Sequence, residues 1–331
     1  MLIILLSVGA FLVSWLSVYF IKAYALKNLL DIPNPRSSHR LPTPRGGGLG
    51  IVLAFSATAL MLFFSGSLGL IHLMALTASL SVAGIGFWDD HRHIPARWRF
   101  LVHMAAAAIA LYLLQGFPTF IISGLRIDFG PLGYLLGIAY LVWLLNLFNF
   151  MDGIDGIAAS EAVFISGALA GFLARVDHEL ALIALALCFA SLGFLAWNWP
   201  RAKIFMGDVG SGFLGFTLGL LILMAGHSHP VYVYIGLILF ATFITDATVT
   251  LVRRYISGQK WYEAHCSHAY QHAAKRYGHL KVILAVWGIN LGWLLPVACL
   301  VHRYPGYAWQ GLITAYVPLL YLAVRFAAGR E

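Results

Sequence analysis

The chain has 331 residues, 61% of them hydrophobic and only 10% charged, where an ordinary soluble domain is about a quarter charged. That balance excludes a soluble globular domain, and the net charge of +8, which would suggest nucleic acid on a soluble protein, reads here as topogenic charge on one membrane face, with no nucleic-acid partner. The apolar runs are continuous rather than alternating, which excludes a transmembrane barrel and leaves helices of roughly 20 residues as the spanning element.

Eleven such runs follow in order, at residues 2–21, 47–65, 69–88, 100–115, 134–150, 157–174, 179–197, 210–226, 231–251, 281–301 and 308–324. The first is too long for a secretory leader, has no basic residue before it and is followed by Lys22 and Lys27, so it is expected to remain, N-terminus outside. Among the 21 basic residues only Arg126, Arg175 and Arg303 fall on one side, so the other side is cytoplasmic and holds the C-terminus. No repeat or linker divides the chain, and residues 1–331 read as one all-α polytopic membrane unit. Outside, residues 116–133 alternate about Ser123 and Gly124, which predicts a small periplasmic β-hairpin near 117–130. Cys188, Cys266 and Cys299 fall in two spans and one loop and suggest no disulfide framework. The 10 Trp and 15 Tyr read first as an interfacial belt, although Trp261, Tyr262 and Tyr270 stand near enough to the last inner loop to stack on a base.

Four inner loops are long or polar, at 31–48, 89–99, 197–212 and 253–281, and a fifth break at MDGIDG is short. Most acids gather at these inner ends: Asp89 and Asp90 close one span, Asp152 and Asp155 are three apart, and Asp208 precedes VGSG. An acid against hydrocarbon costs a few kcal/mol and is a functional candidate by default. Glycines 153, 156, 207, 210 and 212 allow close backbone approach, and free N–H groups opening the span after Asp208 would favour an anion. Helix capping accounts for one such Asp but not for five converging with glycine. Oxygen-only ligands select a hard cation, Mg²⁺ or Mn²⁺, and such an ion bound to few carboxylates implies a phosphate or diphosphate substrate. Glu161 and Asp246 lie deeper, with pairing to an Arg as their simplest reading. The spacing of His265, Cys266, His268 and His272 fits no standard zinc pattern, and Arg36, Arg40 and Arg45 divide between topogenic charge and phosphate contact.

The stretches PRSSHRLPTPRGGG, WDDHRH, NFMDGIDG, FMGDVGSGFLG and HCSHAYQH, in this order, resemble the polyprenyl-phosphate N-acetylhexosamine-1-phosphate transferases, a group within glycosyltransferase family 4. Eleven spans with the N-terminus outside look like its O-antigen-initiating branch. The resemblance implies a Mg²⁺-dependent transfer of an amino-sugar 1-phosphate from a UDP-sugar to undecaprenyl phosphate, releasing UMP at the cytoplasmic face and initiating a surface polysaccharide of the lipopolysaccharide type. It implies Asp208 as metal ligand with Asn149 assisting, and Asp89, Asp90, Asp152 and Asp155 as catalytic acids: the first two at the lipid phosphate, as base or as orienting groups, and the last two beside nucleotide and metal. It places His265 and His268 at the diphosphate or sugar, with Arg45, Lys260, Gly207 and Ser211 as further substrate contacts. A homodimer is left open. Two departures stand out: Cys266 where that branch commonly has Arg, for which Lys260, Arg253 or Arg254 could substitute, and His93 after the aspartate pair. The competing class is a transporter or lipid flippase using the inner-surface carboxylates, but such a protein should place acids near the midplane of a repeated architecture.

Overall fold

The computed structural model describes residues 2–33, 41–122, 124–260 and 265–330. In chain order it contains α1 (Leu2–Asn28), β1 (Leu30–Asp31), β2 (Thr43–Pro44), α2 (Leu49–Phe64), α3 (Leu70–His91), α4 (Ala96–Leu113), β3 (Phe120–Ile122), β4 (Leu125–Ile127), α5 (Leu132–Phe150), α6 (Ile157–Leu173), α7 (His178–Asn198), α8 (Asp208–Ser228), α9 (Val231–Leu239), α10 (Ala241–Ile256), α11 (Ala269–Tyr277), α12 (His279–Ile289), α13 (Leu295–Arg303) and α14 (Ala308–Arg325). The chain is an all-α polytopic membrane protein. Seven helices among the described residues are long and apolar enough to cross a membrane, and α9 with α10 makes an eighth if that bent pair is one span. The other three expected spans fall on α2 and α6, which are shorter, and on α4, whose first turn carries Arg97 and Arg99.

Outer faces are apolar, with Phe64 82%, Phe20 67% and Tyr321 68% exposed, as lipid-facing surfaces must be. The centre is α8. Every residue from Val209 to Gly226 is buried, so this helix is apolar all round because protein surrounds it all round, with α3 and α5 packed along it.

Of the stretches expected as regular single spans, one is sharply bent and another continues through a π turn. The run 231–251 turns by 68° at Phe240, where the wholly apolar α9 gives way to α10, which carries Asp246, Arg253 and Arg254. The run 281–301 contains a π turn at Asn290–Leu294. Pro296 follows in the first turn of α13; it lacks the N–H that an α-helix would direct to Gly292, and the wider turn accommodates that loss.

The expected hairpin is present as β3 and β4, paired Phe120 with Ile127 and Ile122 with Leu125, and Tyr234 anchors it by donating its hydroxyl to Ile121 O at 2.6 Å. Two features were not expected. Leu30 and Asp31 pair with Pro44 and Thr43 inside the first inner loop, and the last inner loop contains the short amphipathic helix α11.

Candidate active site

The start of α8 organises one end of the bundle. Gly207, just before it, has φ +76°, and a Cβ there would lie 2.5 Å from Asp90 Oδ2, so the position admits only glycine. Asp90, from the end of α3, accepts the N–H groups of Asp208 and Val209 at 3.1 and 3.2 Å. Gly207 O accepts those of Gly210 and Ser211, each at 3.1 Å. The N–H groups expected to be free for an anion are therefore occupied, because an acid from a neighbouring helix caps α8 from outside its own sequence. The first inner loop docks here too: Gly47 and Gly48 donate to Phe205 O and Met206 O, each at 2.9 Å, and a Cβ on Gly48 would lie 2.3 Å from Gly210 Cα. That docking delivers Arg45, whose guanidinium donates to Asp90 O at 2.6 Å and lies 3.8 Å from Asp90 Oδ1.

Asp89 accepts the N–H of Ile94 at 2.6 Å and is paired with Arg99, and the same Arg99 nitrogen lies 3.0 Å from Asp208 Oδ2. One cation from the first turn of α4 thus joins the aspartate pair to Asp208. Arg99 was expected only as topogenic charge, since a basic residue beside a span serves topology equally well and only its contacts show a further role. Asn149, near the end of α5, accepts the Ser211 hydroxyl at 2.9 Å. Ser211 is itself fully buried, so this serine, expected at the substrate, holds Asn149.

Asp152 lies in the break between α5 and α6. Burial pushes its carboxyl well above the usual carboxylate range, and the charges of Asp208, Asp90 and Asp155 push in the same direction. Asp155 is differently placed: its Oδ2 accepts the Ala202 N–H at 3.2 Å and lies 3.2 Å from His279 Nδ1, which ties the break to the loop before α8.

The last inner loop joins this end through α11. Tyr270 donates its hydroxyl to Phe150 O at 2.9 Å, and His268 stacks on Phe150 at 6.4 Å. His265 stacks in turn on His268 at 5.0 Å and meets Ser267 Oγ at 3.1 Å. Burial and the neighbouring His268 and Arg254 lower the His265 imidazole to about 4, so it is neutral at ordinary pH. Asp246, expected to pair with an Arg, instead accepts the N–H groups of Ala269 and Tyr270, both at 2.9 Å, and contacts His268 Nδ1 at 3.3 Å. It anchors the start of α11. Glu161 is fully buried elsewhere and accepts from Asn290 Nδ2 at 2.6 Å, apart from the aspartates. Lys260 is exposed beyond α10; Arg36, Arg40, Trp261 and Tyr262 lie outside the described residues.

The donors gathered at this end are oxygens from Asp208, Asp152 and Asn149. Among the described residues no three His, Cys, Asp or Glu side chains are grouped as a complete metal cage. A hard divalent cation that takes one or two carboxylates and completes its shell with water and substrate phosphate fits such a set. The crowding of negative charge around Asp152 is what a cation would relieve. The arrangement sets these carboxylates beside two fixed cations, Arg45 on Asp90 and Arg99 on Asp89 and Asp208, a distribution of charge suited to a phosphate-bearing ligand.

The chain is similar to several known proteins. The family model described as glycosyl transferase family 4 matches residues 72–226, which take in every aspartate of the cluster. The "Probable undecaprenyl-phosphate N-acetylglucosaminyl 1-phosphate transferase" of Bacillus subtilis (strain 168) is 28% identical over 330 residues, covering 96% of this chain and 90% of that protein. The phospho-N-acetylmuramoyl-pentapeptide-transferase of a Wolbachia from Brugia malayi is 31% identical over 63% of this chain and 72% of its own. The decaprenyl-phosphate N-acetylglucosaminephosphotransferase of Mycolicibacterium smegmatis is 29% identical over 65% of this chain and 58% of its own.

Proposed function

Since the chain belongs to glycosyl transferase family 4, we propose that it transfers an N-acetylated amino-sugar 1-phosphate from a UDP-sugar to a polyprenyl phosphate, releasing UMP and leaving the sugar on a lipid diphosphate. The observation that carries this reading is the Arg99 bridge between Asp89 and Asp208 beside the Asp90 cap, which concentrates acids and one shared cation where two apolar helices end. Phosphoryl transfer asks a protein chiefly for positioning and charge compensation.

In this reading the carrier's phosphate oxygen bonds to the β-phosphorus as the bond from that phosphorus to the bridging oxygen breaks, and UMP departs with that oxygen. Arg45 and Arg99 offset negative charge on the two phosphorylated reactants. A phosphate monoester is already mostly ionised at neutral pH, so Asp89 and Asp90 need only orient the site. Asp208 and Asp152, with Asn149 steadied by Ser211, are the residues that would hold Mg²⁺ or Mn²⁺, which supplies charge stabilisation on the diphosphate when bound. His265, neutral, donates a hydrogen bond to sugar or phosphate. The finer reading is an active end facing the cytoplasm of a bacterial inner membrane, undecaprenyl phosphate as carrier and the first step of an O-antigen or related surface polysaccharide as purpose; the basic bias of the loops at this end supports the orientation.

The test is purified protein in detergent with Mg²⁺, undecaprenyl phosphate and a panel of UDP-amino sugars, read as UMP release. Release with at least one sugar, lost in Asp208→Asn with the fold intact, supports the assignment. No release with any sugar rejects it.

A further inference from the structure

The short segment after α14 is built into the histidine loop. It leaves the helix through a tight turn in which Phe326 N–H donates to Leu322 O at 2.9 Å and Ala328 N–H to Ala323 O at 3.0 Å. Ala327, at the centre of that turn, has φ +56°, a left-handed conformation costly for any residue but glycine and sustained only where surrounding contacts hold it. Those contacts are present. Ala328 is fully buried, and its carbonyl accepts from Arg253 at 3.0 Å. Gly329 N–H donates to Ser267 O at 2.7 Å, and Arg330 O lies 3.0 Å from His272 Nε2. Gly329 also has φ +77°, and a Cβ there would lie 2.8 Å from Thr250 O.

Ser267, held through its carbonyl in this way, stands between two side chains. Arg254 can only donate, and it reaches Ser267 Oγ at 3.3 Å, while His265 Nδ1 lies 3.1 Å from the same oxygen. The arrangement that satisfies all three has Arg254 donating to Oγ and the serine hydrogen on His265 Nδ1, which places the ring proton on Nε2.

We propose that residues 326–330 form a positioning latch: by fixing Ser267 from behind they hold His265 with Nε2–H presented as a donor to the nucleotide sugar. This rests on the transferase reading above and names a positioning element for it. Among the described residues the segment makes no hydrogen bond or ion pair with Asp89, Asp90, Asp152, Asp155, Asp208, Arg45 or Arg99, so its loss should weaken nucleotide-sugar binding and leave the carrier lipid's own site unaltered.

The experiment compares Ala327→Val, Ala327→Gly and Gly329→Val with the unaltered full chain, by steady-state UMP release and by amide hydrogen exchange. Valine is disfavoured at a positive φ and glycine is at ease there, so Ala327→Gly serves as the conservative variant. In the two valine variants the KM for the UDP-sugar is expected to rise about tenfold, with kcat and the KM for polyprenyl phosphate changed by less than about threefold. Exchange should quicken at residues 265–272 and stay unaltered in α8, and Ala327→Gly should match the unaltered chain in both measurements. Valine variants with an unaltered UDP-sugar KM in an active protein overturn the latch alone. A parallel fall of kcat and rise of both KM values, with faster exchange in α8, reduces the segment to general structural support and also overturns it. An unaltered chain that releases no UMP rejects the transferase reading itself, an outcome distinct from either.

Discussion

Asp90 accepts two backbone N–H groups, those of Asp208 and Val209, so one member of the aspartate pair on α3 is the N-terminal cap of the central helix α8. Its carboxylate is almost wholly buried, which makes that cap part of the fold as well as of the site. Asp90→Ala is expected to lower stability by about 1–3 kcal/mol, since two buried donors lose their acceptor. Asp90→Asn keeps an acceptor oxygen and should lose less. Thermal unfolding in detergent, followed by tryptophan fluorescence, checks the order; equal midpoints for both variants and the unaltered protein would remove the capping role.

Arg99 is the shared counter-ion of Asp89 and Asp208, and it is only partly exposed. Replacing it with methionine leaves two neighbouring carboxylates without that cation while keeping much of the stem's bulk. UMP release should fall about 10²- to 10³-fold in kcat/KM, the size seen when a preorganised charge is removed from a reacting centre. Arg99→Lys should recover only part, because a single ammonium cannot reproduce the planar fork. Arg97→Met serves as the control: Arg97 is two residues away, exposed and placed over the Trp98 ring, so its loss should alter the rate little.

What was legible in the sequence depended on how costly a residue is where it stands. Asp89, Asp90, Asp152 and Asp208 are conspicuous because carboxylates beside hydrocarbon need a reason, and the structure places them at one end of the bundle. Arg99 was not conspicuous, since basic residues beside spans are ordinary. Asp246 carried a signal that was misread: a buried acid was expected to meet an Arg, yet it meets two N–H groups of a helix that the loop reading had not foreseen. The π turn had a visible cause in Pro296, whereas the bend at Phe240 has no proline and showed only as a change from apolar α9 to polar α10.

Buried Glu161 and Asn290 form a chain with half-buried Thr242, in which Thr242 Oγ1 donates to Asn290 Oδ1 at 3.0 Å and Asn290 Nδ2 to Glu161 Oε2 at 2.6 Å. It ties α6, the π turn and the start of α10 together, away from the aspartates. Glu161→Leu and Asn290→Leu should each destabilise by about 1–3 kcal/mol because each leaves a buried partner unsatisfied. The double variant should lose less than the sum of the two. A thermal double-mutant cycle measures this, with kcat expected to stay within about threefold of the unaltered protein. A kcat loss in Glu161→Gln comparable to that of Asp208→Asn would instead make Glu161 part of the chemistry.

His265 has a folded pKa of about 4, below the ordinary histidine value, because burial and nearby positive groups disfavour its charged form. An unfolded chain would protonate it first as pH falls. Its linkage contribution is therefore constant above the unfolded value near 6.5, and stability is lost as pH falls from there towards about 4. The same shift predicts a UDP-sugar KM that shows no histidine step between about pH 6 and 8, since the imidazole stays neutral throughout. A KM profile with an inflection near 6.5 that disappears in His265→Gln would show that the ring is charged when substrate binds.

The acids differ in how free they are to hold a cation. Asp155 Oδ2 is taken up by the Ala202 N–H and by His279, so its role is to join the break after α5 to the loop before α8. Asp152 is half-buried among the charges of Asp208, Asp90 and Asp155, and Asp208 pairs with the shared Arg99. If Mg²⁺ serves this site, chelation with EDTA should abolish UMP release and Mg²⁺ or Mn²⁺ should restore it. Mn²⁺ affinity, read by electron paramagnetic resonance without any turnover, should fall about 10- to 100-fold in Asp208→Asn and in Asp152→Asn. Asp155→Asn keeps an acceptor for Ala202 and should hold Mn²⁺ within about threefold of the unaltered protein while lowering its thermal stability. Were Asp155→Asn to abolish Mn²⁺ binding and Asp208→Asn to leave it intact, the division of the acids into ion-holding and structure-holding members would be reversed.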